Sequence, residues 1–377
     1  MIVPVYNATE ATLRCLDTVL ASENRTPFEL IVIDDASQDA RLVRSLEKLS
    51  RQGAITLLKN QNNQGFPATA NRGMALHPGR DVVLLNSDTL VHGDRLDRLR
   101  GCALSDWDVA TATPFTNNGE ICSYPNICQS LPIPGEEELA ELDALASQVN
   151  QGLSVTLPTA VGFCTYIRRS ALEEIGLFDA ERFERGYGEE NEFCLRARER
   201  GYRNLLAADV FVGHEGGSSF LEAKNELIAQ GLEEIRKLYP DYEAEVRRFV
   251  ASDPVRWLRQ RMEIDGLDCK DGGALLMVSH AQGGGTQHHV DQLAGQLETE
   301  GVAILLLQPV SSSRVGLFRF GQPQLPNLTF DLRQDFGRLV EVLRLVGLRH
   351  VHVHHWLGFD PIVRELPAEL GLPFDIT

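Results

Sequence analysis

The chain has 377 residues, with 36 Lys+Arg against 53 Asp+Glu and a formal net charge of −17 when histidines are neutral. That length suggests two to three domains, and 43% hydrophobic with 24% charged residues excludes a mainly disordered chain. The acidic balance argues against a nucleic-acid or anionic-membrane binder, and a phosphorylated substrate would need a metal ion or local arginine to offset the repulsion.

No apolar run approaches the roughly 20 residues that a membrane-spanning helix needs. The N-terminus carries no signal-peptide pattern. Seven scattered cysteines, with Cys122 and Cys128 at no usual zinc spacing, point to a reduced, cytoplasmic protein. An apolar strand begins at residue 2 and the chain stops straight after a turn, as a fragment would.

In chain order, β-rich runs at Ile2–Val5, Glu29–Ile33, Ile55–Leu58 and Asp81–Leu85 alternate with helical spacing. Asn7 with Glu10 has the form of a capping box before Leu13, Leu16 and Leu20 on one face. Leu42, Leu46 and Leu49 repeat the pattern, and Gly53 stops it. Strand centres about 25–29 residues apart are the mark of βαβ units and a parallel sheet. The stretch near Asn117–Pro134 reads as loop, Asn191–Arg200 as helix, and residues 222–264 as a helical connector that Asp271-Gly272-Gly273 breaks. Then Ala274–Val278, Gly283-Gly284-Gly285, a helix through Leu297, Val302–Leu307, a helix near Leu339–Val346 and His350–Val353 restart a βα pattern with only three strands.

Ligands of open α/β sheets bind beyond the carboxyl ends of the strands. Those ends read Pro4-Val5-Tyr6-Asn7, Asp34-Asp35-Ala36-Ser37 and Asn86-Ser87-Asp88-Thr89, with Asn62-Asn63-Gln64-Gly65-Phe66 and Asn71-Arg72-Gly73 following strand three. Carboxylates and amides thus collect at one edge. Each has a plainer reading as a turn or helix cap, but their coincidence favours a site.

These motifs, in this order, resemble the family 2 glycosyltransferases of GT-A fold, and the likeness is rhamnosyltransferase-like. It continues through Thr113–Asn118, Val161-Gly162-Phe163-Cys164, Gly176–Asp179, Gly186-Tyr187-Gly188-Glu189-Glu190-Asn191-Glu192, and His214 before Gly216-Gly217-Ser218. It implies an α/β fold with a mostly parallel, Rossmann-like sheet over residues 1–220. A helical connector at 221–272 and a partial Rossmann-like segment at 273–377 would follow. The latter's opening, Ala274 to His288-His289-Val290, resembles the incomplete N-terminal half of a family 4, GT-B transferase, with no independent activity expected.

The resemblance also implies roles. Pro4, Tyr6, Asn7, Asp34, Asp35, Gly65, Phe66, Asn71, Arg72, Asn86, Ser87 and Asp88 would bind the nucleotide sugar. Asn86-Ser87-Asp88 stands at the Asp-x-Asp position with Asn first, so Asp88 becomes the main ligand of a divalent cation (Mn²⁺ or Mg²⁺), with His214 as a second. Asn117, Asn118, Gly162, Phe163, Gly186 and Tyr187 would line the acceptor region. Glu190 falls at the general-base position, where Asp is more usual, with Glu189 as second choice. The plainer account of both, and of Glu192, is acidic residues at a helix N-terminus.

The implied reaction is inverting, metal-dependent hexosyl or deoxyhexosyl transfer from a nucleoside-diphosphate sugar. The acceptor would be a saccharide or lipid-linked saccharide in bacterial surface polysaccharide synthesis, in the cytoplasm or at the inner face of the membrane. A non-catalytic sugar-binding domain of the same fold is the alternative. A nicotinamide oxidoreductase is disfavoured, because no Gly-x-Gly-x-x-Gly turn follows strand one.

Overall fold

A computed structural model describes residues 1–377 except 185, 217–220, 268, 270–272 and 281, and for 221–225 the backbone alone. The expected Gly217-Ser218 pair and the Asp271-Gly272 break lie outside the described residues. The chain forms two compact units, Met1–Val255 and Arg256–Thr377. The division falls inside the expected connector rather than at 220 and 272.

The first unit begins β1 (Ile2–Val5), α1 (Thr9–Ala21), β2 (Ile31–Asp34), α2 (Ala40–Arg51), β3 (Thr56–Lys59), α3 (Phe66–Met74) and β4 (Val82–Leu85). It continues with β5 (Thr89–Leu90), α4 (Arg95–Ala103), β6 (Val109–Phe115), α5 (Glu136–Val149), β7 (Ser154–Leu157) and β8 (Cys164–Ile167). It closes with α6 (Arg169–Ile175), α7 (Glu189–Glu199), β9 (Arg203–Phe211), β10 (Gly213–His214), α8 (Leu221–Leu238) and α9 (Tyr242–Ser252). The main sheet has the order β3-β2-β1-β4-β8-β6-β9-β7. β3, β2, β1 and β4 are parallel, whereas β8 runs antiparallel to both neighbours and β7 antiparallel to β9. The parallel-rich α/β architecture is the expected one, with a mixed second half.

Alternation along the strands makes two cores. Val3, Val5, Val32, Val83 and Leu85 join Cys15, Leu16, Val19, Leu42 and Leu46 on one face. Ile2, Ile31, Ile33, Val82 and Leu84 join Ala70, Met74, Leu172 and Phe193 on the other. Each such side chain contributes about 1.5–3 kcal/mol when fully buried. In α1 the buried stripe is Thr12, Cys15, Leu16 and Val19, so the expected Leu20 lies outside it, 41% exposed.

The expected capping box at Asn7 does not form. Asn7 and Ala8 both take left-handed backbone angles (φ 56° and 53°), and α1 has no side-chain cap. Asn7 instead reaches across to the β2 turn: its N–H donates to Ser37 Oγ (2.9 Å) and its Oδ1 accepts from Gln38 N (2.8 Å).

The second unit comprises α10 (Arg256–Asp265), β11 (Ala274–Val278), α11 (Gly284–Thr299), β12 (Ala303–Pro309), β13 (Arg314–Arg319), β14 (Thr329–Asp331), α12 (Phe336–Val346), β15 (Leu348–Val353), α13 (Leu366–Leu370) and β16 (Phe374–Ile376). Its sheet has six strands, β14-β13-β12-β11-β15-β16, instead of the expected three. β12, β11, β15 and β16 are parallel; β13 and β14 add an antiparallel edge. β13 escapes a sequence reading because Gly316 and flanking arginines interrupt its apolar run, and β16 because it is three exposed residues long.

Candidate active site

The reversal of strand order between β1 and β4 fixes where the first unit opens. From β1 the chain steps to β2 and β3 on one side and returns to β4 on the other, and ligand crevices form at such points. Pro4 has no N–H to donate, and the ladder to β4 is confined to Ile2↔Leu84. Beyond it, the carboxyl ends of β1 and β4 face each other.

On the β2–β3 side several expected ligands serve the protein itself. Asp35 is buried; its Oδ1 accepts from Asn60 Nδ2 (2.6 Å) and Gln64 N (2.8 Å), its Oδ2 from Gly65 N (3.0 Å). It therefore shapes the Gln64–Gly65 loop that precedes α3. Asp34, also buried, accepts from Ser37 N at 2.9 Å and holds the β2 turn. Asn71 spends its amide on one backbone group pair, donating to Phe178 O (2.8 Å) and accepting from Phe178 N (3.0 Å). Arg72 is exposed and donates to Lys59 O (2.8 Å) and Asn60 Oδ1 (2.5 Å), at the end of β3. Asn71 and Arg72 are thus clamps of the walls in this structure. Tyr6, half exposed, and half-buried Phe66 stand at the rim.

On the β4 side, Ser87 and Asp88 form the turn into β5, and Asn86 N donates to Phe163 O (2.9 Å). β10 pairs antiparallel with β5 and sets His214 opposite Thr89. The His214 ring is fixed from three sides. It stacks on Phe163 (centroids 5.3 Å apart), its Nδ1 lies 2.7 Å from Asn118 O, and its Nε2 lies 3.5 Å from Asp88 Oδ1. A carbonyl only accepts, so Nδ1 donates to Asn118 O, which leaves Nε2 as the ring nitrogen that faces Asp88. Asn117, buried, accepts from His214 N (2.8 Å) and donates to His214 O (2.9 Å) and Leu131 O (2.8 Å). Asn117, Asn118 and Phe163, expected in the acceptor region, all contact His214.

The third side is the entrance to α7. Gly186, Tyr187 and Gly188 carry φ of 91°, 70° and 127°, a left-handed bend that delivers Glu189 and Glu190 to the first turn. α8 lies tightly over it: a Cβ on Gly231 would fall 1.6 Å from Tyr187 O, so only glycine fits there. Glu189 is 4% exposed, and its Oε2 has no hydrogen-bond partner among the described residues. Burial, then repulsion from Glu190, raises its pKa well above the carboxylate range. Glu190 is half-buried, packs over Gly162, and is also raised by burial.

The Tyr187 phenol in this bend has its pKa raised by burial first, then by Glu189, Asp88 and Glu190. Glu192 stands apart, in a bidentate pair with Arg196 (2.8 and 2.7 Å).

Glu120 was not foreseen. It sits at φ 48° in a turn before Cys122, is exposed, and adds repulsion to Glu190. A non-glycine residue in that conformation leaves no periodic signal in sequence. A cavity of about 660 Å³ at the amino ends of β1, β2 and β4, lined by Glu29, His77, Arg80 and Arg169, contains none of the candidate residues.

The first unit is thus a parallel-rich α/β unit with the Asp88–His214 pair past β4 and Glu189–Glu190 at the start of α7. Residues 1–176 match the family model for glycosyl transferase family 2. The match ends there, so the expected family 4 resemblance of the second unit is not part of it.

Among curated proteins the chain is similar to the succinoglycan biosynthesis protein ExoO of Rhizobium meliloti, 31% identical over 144 residues, 38% of this chain and 39% of that protein. It is also similar to the amylovoran biosynthesis glycosyltransferase AmsB of Erwinia amylovora, 24% identical over 223 residues, 57% of this chain and 68% of that one. The chain thus spans about two fifths of the length of ExoO.

Among solved structures, GalNAc-T7 with UDP, GalNAc and Mn²⁺ aligns at 17% identity and TM-score 0.48, over 68% of this chain and 50% of that one. The mannosyltransferase PcManGT from Pyrobaculum calidifontis, in complex with GDP-Man and Mn²⁺, aligns at 19% and 0.45, over 79% of each. No described helix is long and apolar enough to cross a membrane.

Proposed function

We propose that the first unit transfers a sugar, with inversion, from a nucleoside-diphosphate donor to a saccharide hydroxyl. The observation that carries this is that Glu190 packs over Gly162, next to Phe163, on which the ring of the Asp88–His214 pair is stacked. The family 2 match supports the reaction class, and relatives named for succinoglycan and amylovoran synthesis support a saccharide acceptor. A lipid-linked acceptor, with the protein at the inner face of a membrane, accords with that setting.

Glu190 takes the proton from the acceptor hydroxyl. The freed oxygen attacks the anomeric carbon, and the bond from that carbon to the diphosphate breaks, its electron pair leaving with the phosphate. A base works best when its pKa lies near the working pH, and burial moves Glu190 in that direction.

Asp88 Oδ1 and His214 Nε2 fit a divalent cation: the imidazole is oriented by Asn118 O in the manner of metal-bound histidines. Phosphate oxygens of the donor and water would complete the shell of a Mg²⁺ or Mn²⁺ ion held there. The ion would neutralise charge on the departing diphosphate. Asp34, Tyr6 and Phe66 are left to receive the nucleoside.

Residues 273–377 would form a separate Rossmann-like domain of the family 4 type without transferase chemistry. Calorimetric titration of UDP, GDP and dTDP with and without Mn²⁺ tests the donor side. Binding by the parent chain should depend on Mn²⁺ and vanish in Asp88→Asn; equal binding in the variant would place the metal elsewhere.

A further inference from the structure

Seven of the chain's ten histidines lie after residue 279. Five of them gather at the carboxyl end of the second unit's sheet. His280 follows β11, His352 lies near the end of β15, His354 and His355 follow it, and His289 stands on α11. The rings of His289 and His354 are 5.5 Å apart, those of His352 and His354 4.3 Å, and those of His280 and His355 5.5 Å.

His354 is the centre of this group and the odd member. It is only 7% exposed, and its Nε2 has no hydrogen-bond partner among the described residues. A structural core histidine satisfies both nitrogens, because a buried unpaired polar atom is costly.

His352 is held by its other nitrogen: Nδ1 pairs with Asp375 Oδ1, and Asp375 Oδ2 is 3.1 Å from His350 Nε2. A carboxylate behind an imidazole orients the ring and makes its far nitrogen a better metal donor. That nitrogen now shares Thr377 Oγ1 at 3.0 Å, a hydroxyl that can rotate away. Two imidazoles on one tetrahedral ion, each nitrogen about 2.0–2.1 Å from it, have ring centres about 5 Å apart. The His289–His354 separation matches this.

We propose that the second unit binds a divalent transition-metal ion of the zinc class through His289, His354 and His352. Imidazole donors favour Zn²⁺, Cu²⁺ or Ni²⁺ over the oxygen-seeking Mg²⁺ and Mn²⁺. Three donors do not already converge among the described residues; the ion draws them together and thereby ties α11 to β15. The inference is independent of the glycosyl-transfer reading.

The test uses the full chain carrying Asp88→Asn, so that the first unit's site is silent. Co²⁺ is titrated into metal-free protein and followed by its visible ligand-field absorption, then displaced by Zn²⁺. One equivalent should bind with tetrahedral bands, excess Mg²⁺ should not compete, and His289→Ala and His354→Gln should each weaken binding more than about tenfold. His288→Ala, next to His289 on the exposed helix surface, should leave it unchanged. Absence of the bands, or equal affinity in His289→Ala, would overturn the proposal. His289 is exposed, so its variant folds and decides the matter even if His354→Gln does not.

Discussion

At the carboxyl edge of the first unit's sheet the reactive side chains are carboxylates with one imidazole; at that of the second unit they are imidazoles with one carboxylate. Both edges follow from parallel strands of apolar residues that deliver polar ones just past their ends. The difference lies in what surrounds those ends. In the first unit, amides of Asn60, Asn71 and Asn117 hydrogen-bond the loops around Asp88 and the Glu189–Glu190 pair. In the second, the rings mostly pack on one another, and a buried nitrogen of His354 has no partner among the described residues. A shared architecture therefore says where a ligand goes, and the side chains say which kind.

The largest effect should separate the units by activity. Glu190→Gln keeps a hydrogen-bonding side chain but cannot accept a proton, so kcat should fall by about 10²–10⁴-fold with nucleotide affinity retained. On the proposed assignment of transfer to the first unit, no residual transfer should remain in Asp88→Asn combined with Glu190→Gln. Steady-state kinetics reads both, and substantial turnover by the double variant would erase the functional contrast between the units.

Next comes a clamp. Asn71→Ala removes both hydrogen bonds to Phe178 and should destabilise the first unit by about 1–3 kcal/mol, seen as an earlier denaturation midpoint. If the midpoint is unmoved while nucleotide affinity drops, Asn71 is a ligand after all.

Glu189→Gln should have a smaller effect on stability. The sequence suggests a helix-dipole loss of about 0.3–1 kcal/mol. Against that, the buried carboxyl already has a raised pKa, so a neutral amide relieves desolvation. Melting within about 1 kcal/mol of the parent is expected, and a larger loss would mean that Glu189 is ionised and paired.

The smallest effect is a slope. Glu189 and Glu190 have folded pKa values above their unfolded ones. Between those values the folded state binds more protons than the unfolded state, so stability declines as pH rises through the window. Activity should climb through the same window as the base deprotonates. Glu190→Gln should flatten part of the stability slope in pH-resolved denaturation, and an unchanged slope would argue that Glu190 titrates normally.

Much of this was legible in the sequence. The Val- and Ile-rich runs at 2–5, 31–34 and 82–85 announced buried parallel strands, and the strand-end residues announced the edge they share. What stayed hidden depends on tertiary pairing. Asp35, Asn71 and Asn117 look like ligands in sequence because they have the right donors and acceptors; only the fold shows those atoms turned onto Gly65, Phe178 and His214. Asn7 reads as a cap until the left-handed backbone sends it to Ser37. Glu120 and the edge strands β13 and β16 carry no periodic signal. The histidines were visible, but the contact of His289 with His354 joins residues far apart in the chain.

The central claim is that the first unit's edge transfers a sugar with inversion, and the configuration of the product tests it most directly. Proton NMR would follow the anomeric signal during transfer from an α-linked nucleotide sugar, with Mn²⁺ and a saccharide acceptor. A single displacement with Glu190 as base predicts a β-linked product from the parent chain and none above background from Glu190→Gln. An α-linked product, or undiminished transfer by Glu190→Gln, would contradict it.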